Sequence, residues 1–250
     1  MPSWQSVKGD SNLPRFFCEN INETEAVLTG EEARHLVRVL RLGPGDDVTL
    51  CDGRGTDYAC KILSVGDTVT FSVEGKTQNA AEPNVEITLY QCLPKGDKFE
   101  FIIQKAVELG VTRIVPVQSR YCVAKIAPAD FQKKRERFQK ISVSAAKQSG
   151  RGIIPEISHI LSYRQAVEEL ASQQGILCYE GGGASVGSLV DGENRRLAVM
   201  IGSEGGFSEE EVALAVEKGV RLATLGPRIL RCETAPLVAL TLLLYETGNM

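Results

Sequence analysis

The chain has 250 residues, 43% of them hydrophobic and 24% charged, with a net charge of −4. That is enough for one large domain or two small ones, and too acidic overall for a generic nucleic-acid binder. No apolar run reaches the roughly 18 residues of a spanning helix, and MPSWQSVKGDSN at the start has no hydrophobic signal core, so the expected location is cytoplasmic.

Residues 1–14 read as a flexible extension. From 15 to 76 the segments are short and β-like: RFF (15–17), DVTLCD (47–52), YACKILSV (58–65) and TVTFSVEG (68–75) run between Gly and Asp turns. One helix interrupts them. Thr29 is placed as its N-cap with Glu32 completing a capping box, HLVRVLRL follows, and Gly43 stops it. His35, Arg38 and Arg41 recur every third residue, which predicts one basic stripe on that helix. A small β-barrel with one helix fits the pattern. Residues 77–84, polar and containing Pro83, read as a linker.

Beyond the linker, apolar strands alternate with helices. VEITLYQCL is followed by a helix through FEFIIQKAVEL, then RIVPVQ, then a helix from Pro128 to about Ser149. EISHIL, a helix through YRQAVEELAS, ILCYE, LAVMIG, a helix after Ser208, ATLG and a closing helix over PLVALTLLLYE complete the chain. This α/β alternation predicts a mostly parallel sheet covered on both faces. Between Lys133 and Arg151 lie seven basic residues and one acidic one. Such a run either neutralises phosphates or forms a solvated helix face, and composition leaves both open.

In a parallel sheet, ligands gather at the carboxyl ends of strands. Three glycine-bearing turns fall there: YEGGG (179–183), IGSEGGFS (201–208) and LGPRI (225–229). Ser208 and Glu211 form a capping box for the helix after the second turn, and Pro236 suits the first turn of the last helix. The polar stretch LGPRILRCETAP is costly unless its groups meet a ligand or each other. GxGxxG and GxxxxGK[ST] are both absent, which argues against hydride transfer and nucleotide hydrolysis. The seven cysteines are irregularly spaced with no CxxC pair, and there are two histidines. They read as free, mostly buried thiols, and no metal is expected.

IGSEGGFS, LGPRILRCETAP, PKGDKFEFIIQKAVELGV (94–111) and AAKQSGR (145–151) together resemble the bacterial 16S ribosomal RNA uracil-N3-methyltransferases of the SPOUT superfamily. The likeness extends from Arg15 onward. Two residues depart from it: Ser203 stands where the family usually has proline and Cys232 where threonine is usual, both read as changes of loop stiffness. The resemblance implies an α/β fold in which an N-terminal PUA-like β-barrel (15–76) precedes a SPOUT domain (85–250) with a deep trefoil knot, acting as a homodimer. It implies S-adenosylmethionine as methyl donor, held by Leu177, Tyr179 and Glu180, by Ile201, Gly202, Ser203, Glu204 and Gly205, and by Leu225, Gly226, Ile229, Leu230, Arg231, Thr234 and Ala235. Glu204 and Glu233 would fix the loops or balance the sulfonium charge. Arg120 and Arg231 are the implied catalytic cations. Arg15, His35, Arg38, Arg41, Gln148 and Arg151 would meet 16S rRNA of the small ribosomal subunit. A ribose 2′-O-methyltransferase of the same superfamily and a non-catalytic RNA-binding assembly factor remain as alternatives.

Overall fold

The computed structural model describes residues 13–123, 125–190, 193 and 195–250, so all but the end of the expected extension lies outside the described residues. The chain divides into two compact units, residues 1–81 and 82–250.

In the first unit, β1 (Arg15–Phe17), β2 (Asn20–Ile21), β3 (Glu25–Leu28), β4 (Asp47–Cys51), β5 (Thr56–Val65) and β6 (Val69–Gln78) form one sheet in the order β1-β4-β5-β6-β3-β2. Only β1 pairs in parallel, with β4. Alternate residues point inward, so Phe16, Leu28, Leu50, Ile62, Val69 and Phe71 share a core with Leu36. Each such side chain contributes about 1.5–3 kcal/mol on burial. A one-residue slip would turn that whole set to solvent, which fixes the register. β6 runs two residues past the expected barrel end because Thr77 and Gln78 still pair with Asp57 and Thr56.

The helix of this unit departs from expectation. α1 (Gly30–Arg34) has Thr29 at its N-cap, but the Thr29 side chain caps nothing. The coil then widens into a π-helical turn over His35–Val39, with Leu40 N–H donating to the His35 carbonyl at 3.2 Å. Arg41, with φ +57°, ends it before Gly43 is reached. In a widened turn, residues three apart no longer stack, and Arg41 lies past the helix. The expected single stripe of His35, Arg38 and Arg41 is therefore not formed, although all three are exposed.

In the second unit β7 (Glu86–Cys92), α2 (Lys98–Glu108), β8 (Arg113–Gln118) and α3 (Pro128–Gln148) come first. The expected EISHIL strand is split into β9 (Glu156–Ile157) and β10 (Leu161–Ser162), both paired with β8. His159 falls in the gap, exposed and 3.4 Å from an Arg135 nitrogen, rather than being a sheet residue. Then follow α4 (Tyr163–Ser172), β11 (Ile176–Cys178), β12 (Ala184–Ser185), α5 (Val186–Leu189), β13 (Arg196–Ile201), α6 (Glu209–Glu217), β14 (Arg221–Thr224) and α7 (Ala235–Glu246). The strands pair in the order β10-β8-β7-β13-β11-β14-β12, every pair parallel. β7 and β13 are buried along nearly their whole length, as strands covered on both faces are. α7 packs against β7, β13, α2 and α5, while α4 packs against α6, β8 and β13. Among the described residues no helix is long and apolar enough to cross a membrane, and the seven cysteines are buried and unpaired by disulfides.

Arg151 shows how the core is closed. Its side chain is 2% exposed, bonded to the Val107 carbonyl at 3.1 Å, to the Val111 carbonyl, and to Glu82 at 2.7 Å. Glu82 also accepts from the N–H groups of Gly152 and Ile153. Arg151 is thus an internal strut, and its expected place at an RNA surface is corrected: a guanidinium 2% exposed and bonded to two carbonyls and a carboxylate inside the fold is not open to a phosphate. Arg151→Ala is expected to lower unfolding stability by about 3–5 kcal/mol, because Glu82 would be left without its counter-charge. Denaturant titration checks this, and an unchanged midpoint would contradict it.

Candidate active site

β13, β11 and β14 are neighbours in the sheet, so the turns that leave their carboxyl ends converge. Together they enclose a cavity of about 380 Å³, within the range of small-molecule sites. The first turn is tied down by the Tyr179 N–H, which donates to the Ala223 carbonyl at 2.9 Å. The second folds tightly on itself, the Gly206 N–H meeting the Ser203 carbonyl at 3.0 Å. Gly206 sits at φ +64°, and a Cβ there would run into the Glu180 carboxylate. A Cβ on Gly202 would lie 3.2 Å from the Gly206 Cα, so two glycines keep this wall thin.

The helix after that turn fixes it in space. Ser208 Oγ accepts from the Glu211 N–H at 3.3 Å, and Glu211 accepts from the Ser208 N–H at 3.0 Å, the capping box read from the sequence. The other Glu211 oxygen accepts from the Arg120 N–H at 2.8 Å, and the Tyr163 hydroxyl donates to the Glu211 carbonyl. One buried carboxylate therefore binds the second turn to the end of β8.

Most of the expected donor-site residues line the cavity: Tyr179 and Glu180 from the first turn, Ile201, Gly202, Ser203 and Glu204 from the second, and Leu225, Gly226, Ile229, Leu230, Arg231 and Ala235 from the third. Three do not. Leu177 is fully buried inside β11, Gly205 packs against Tyr121, and Thr234 is the exposed N-cap of α7. Arg120 is also not on the wall; its guanidinium pairs with Glu210 of α6 at 2.8 Å. Arg15, expected at an RNA surface, is committed to an ion pair with Asp57. Gln148 is exposed on α3.

Sequence reasoning missed Lys98. Its ammonium lies 3.1 Å from Glu204 Oε1 and 3.1 Å from Glu233 Oε2, and it reaches Cys232 Sγ at 3.8 Å. The Lys95 N–H also donates to Glu204. The start of α2, the second turn and the third turn are thus joined at one charge cluster. The two carboxylates hold the Lys98 pKa above the ordinary lysine value. Burial pushes the Glu204 carboxyl up, but N–H groups and the Lys98 ammonium outweigh it and bring it down. Glu233 is likewise pushed up by burial and brought lower overall by the Cys232 thiol, an N–H group and Lys98. Burial, then the bond to Glu233, pushes the Cys232 thiol up to about 12, so it stays a neutral donor to that carboxylate. The signal for Lys98 was the PKGDKFE stretch, but a lysine at a helix start reveals no partner 106 residues away, at Glu204.

Apolar Leu225, Ile229 and Leu230 line the cavity together with Glu180 and Glu204, which suits a ligand with a flat apolar ring and a positive charge. Ile229 is 86% exposed.

An RNA methyltransferase domain matches residues 81–244 and an RNA methyltransferase PUA domain matches 28–73, so fold and site together define a methyltransferase of RNA. The chain is 37% identical to a ribosomal RNA small subunit methyltransferase E of Bacillus subtilis, covering 88% of this chain and 90% of that one. It is 34% identical to one of Synechocystis, covering 89% and 73%. A crystal structure of the Neisseria gonorrhoeae methyltransferase E bound to S-adenosyl methionine superposes with a TM-score of 0.82 at 33% identity, covering 93% of this chain and 97% of that one. The chain belongs to the ribosomal RNA small subunit methyltransferase E family.

The charge cluster makes a pH-dependent prediction. The stabilisation from the lowered carboxylates is present above the ordinary carboxylate pKa and lost as pH falls through the folded one. That from Lys98 is present below the ordinary lysine value and lost as pH rises through its raised pKa. Lys98→Ala is therefore expected to lower Tm most between about pH 6 and pH 9, with the gap to wild type closing below about pH 4. A gap independent of pH would show that Lys98 does not hold the two turns by charge.

Proposed function

We propose that the chain transfers a methyl group from S-adenosylmethionine to N3 of a uridine in 16S rRNA of the small ribosomal subunit. The observation that carries this reading is the cavity between three turns on neighbouring parallel strands, with the Arg231 cation on its wall, in a chain of this family. Leu225, Ile229 and Leu230 hold the adenine, Tyr179, Gly226 and Ala235 complete the wall, and Leu177, Gly205 and Thr234 support it from behind. Glu180 and Glu204 face the donor's positive charge. When bound, S-adenosylmethionine supplies a methyl group on a cationic sulfur, open to in-line attack.

Uracil N3 must lose its proton before it attacks. Arg231 stabilises the resulting anion at O2 or O4, which lowers the barrier electrostatically. Arg120, whose neighbour Tyr121 packs against Gly205, flanks the same turn as a second cation. Glu204 and Glu233 are weak bases because N–H groups, the Cys232 thiol beside Glu233, and Lys98 hold them as carboxylates, so the N3 proton leaves to solvent. Residues 15–76, with His35, Arg38 and Arg41 exposed, form a PUA-like barrel that meets RNA, and Gln148 meets it from the second unit. Residues 85–250 form the catalytic domain, knotted as the resemblance implies. It works as a homodimer, a reading supported by Ile229 at 86% and Tyr245 at 69% exposure. It acts in the cytoplasm, where its free thiols and its rRNA substrate both belong.

Incubation with labelled donor and unmodified small subunits, followed by digestion to nucleosides, is expected to yield N3-methyluridine. A 2′-O-methylated nucleoside would overturn the reading. Arg231→Ala is expected to lower kcat by about 10²–10³ with Tm and donor affinity retained. Full activity would remove Arg231 from the site.

A further inference from the structure

We infer that one face of α3 is the surface on which the RNA phosphate backbone lies, an inference that rests on the proposed rRNA substrate. Lys133, Arg137, Lys140 and Lys147 are all exposed and follow one another at spacings of four, three and seven residues. At 3.6 residues per turn these positions fall on one stripe, about 21 Å long at about 1.5 Å per residue. Ser144 completes the row, and the exposed Gln148 lies at its edge. Glu136 lies on the opposite edge, Asp130 stands three residues before Lys133, and Glu100 of α2 pairs with Arg137. The remaining arginine of the run, Arg135, points away, donating to the Ile157 carbonyl at 2.7 Å.

Two features make this more than a solvated face. Like charges at i, i+4 and i, i+3 cost an isolated helix about 0.2–0.5 kcal/mol per pair, and here they are concentrated in a chain whose net charge is −4. A concentration of one sign against the overall balance fits a polyanion with a charge at every step. The stripe also leads to the cavity. Arg137 bonds Glu100 of α2 at 2.7 Å, and Glu100 is two residues from Lys98, which lines the donor pocket. Phe99, between them, stacks edge-on against Phe138 of α3, so the two helices hold this relation rigidly. A strand lying along α3 is thereby led to the cavity rim. The surface neutralises phosphates without reading bases, so it sets affinity and register while the cavity chooses the nucleotide.

The test is a triple variant, Lys133→Gln, Lys140→Gln and Lys147→Gln, leaving Arg137 and its bond to Glu100 intact. Binding to unmodified 16S rRNA is measured by filter retention from about 50 to 200 mM KCl. Methyl transfer to small subunits is followed in parallel. The salt slope is expected to fall by about 2 and KM for RNA to rise about tenfold or more, with kcat, donor affinity and Tm at wild-type values. The corresponding triple arginine variant is expected to keep the wild-type slope. An unchanged slope in the glutamine variant overturns the proposal, whether or not binding to phosphatidylserine vesicles is lost instead. If the slope falls but wild type transfers no methyl to rRNA, the surface stands and the methylation reading fails. If wild type methylates and the slope is unmoved, the methylation reading stands and the surface fails. Should the triple variant unfold, Lys133→Gln and Lys140→Gln singly are each expected to take just under 1 from the slope.

Discussion

The ammonium of Lys98 stands between carboxylates from two different turns, and the cavity has its shape because that arrangement holds. Glu204 comes from the turn after β13 and Glu233 from the one after β14, so one cation spans both. Without it, two carboxylates would face each other across a half-buried gap. Behind this cluster, Glu211 performs the same service with hydrogen bonds, joining the Ser208 cap, the Arg120 backbone and Tyr163. The glycines can then do their part: with the walls fixed by charge and capping, Gly202 and Gly206 leave room that any side chain would fill.

The charges of the second unit fall into separate roles. Arg151 and Arg135 are turned into the structure, where they satisfy carbonyls and a carboxylate. Lys98 is spent between loops. The cations exposed on α3 face outward, and a polyanion is the partner their sign and spacing fit. An acidic protein can work on RNA because a few cations placed in a row matter more to a phosphate backbone than the total charge does.

The alternation of apolar strands and helices made the parallel sheet legible, and with it the carboxyl ends where the three turns lie. Ser208 with Glu211 and Pro236 in α7 were legible too, because capping is a local affair of three or four residues. The walls of the cavity followed from the resemblance, position by position. What failed were judgements that needed a distant partner. Arg151 looks like a surface cation in the sequence, yet Glu82, 69 residues away, draws it in. Lys98 gave no sign of its carboxylates for the same reason. The Thr29 capping box and the HLVRVLR stripe failed differently: the helix turns π over His35–Val39, and no three-residue spacing reveals a change of pitch.

The central claim is that the cavity enclosed by the three turns is where the methyl donor binds. Calorimetric titration of S-adenosylmethionine into the wild type and into Ala235→Trp tests it most directly, since Ala235 lines the cavity at the start of α7 and a larger side chain there fills it. The expected result is one donor bound per wild-type chain and no binding heat from a variant that melts as the wild type does. Wild-type affinity in the folded variant would place the donor elsewhere and contradict the account.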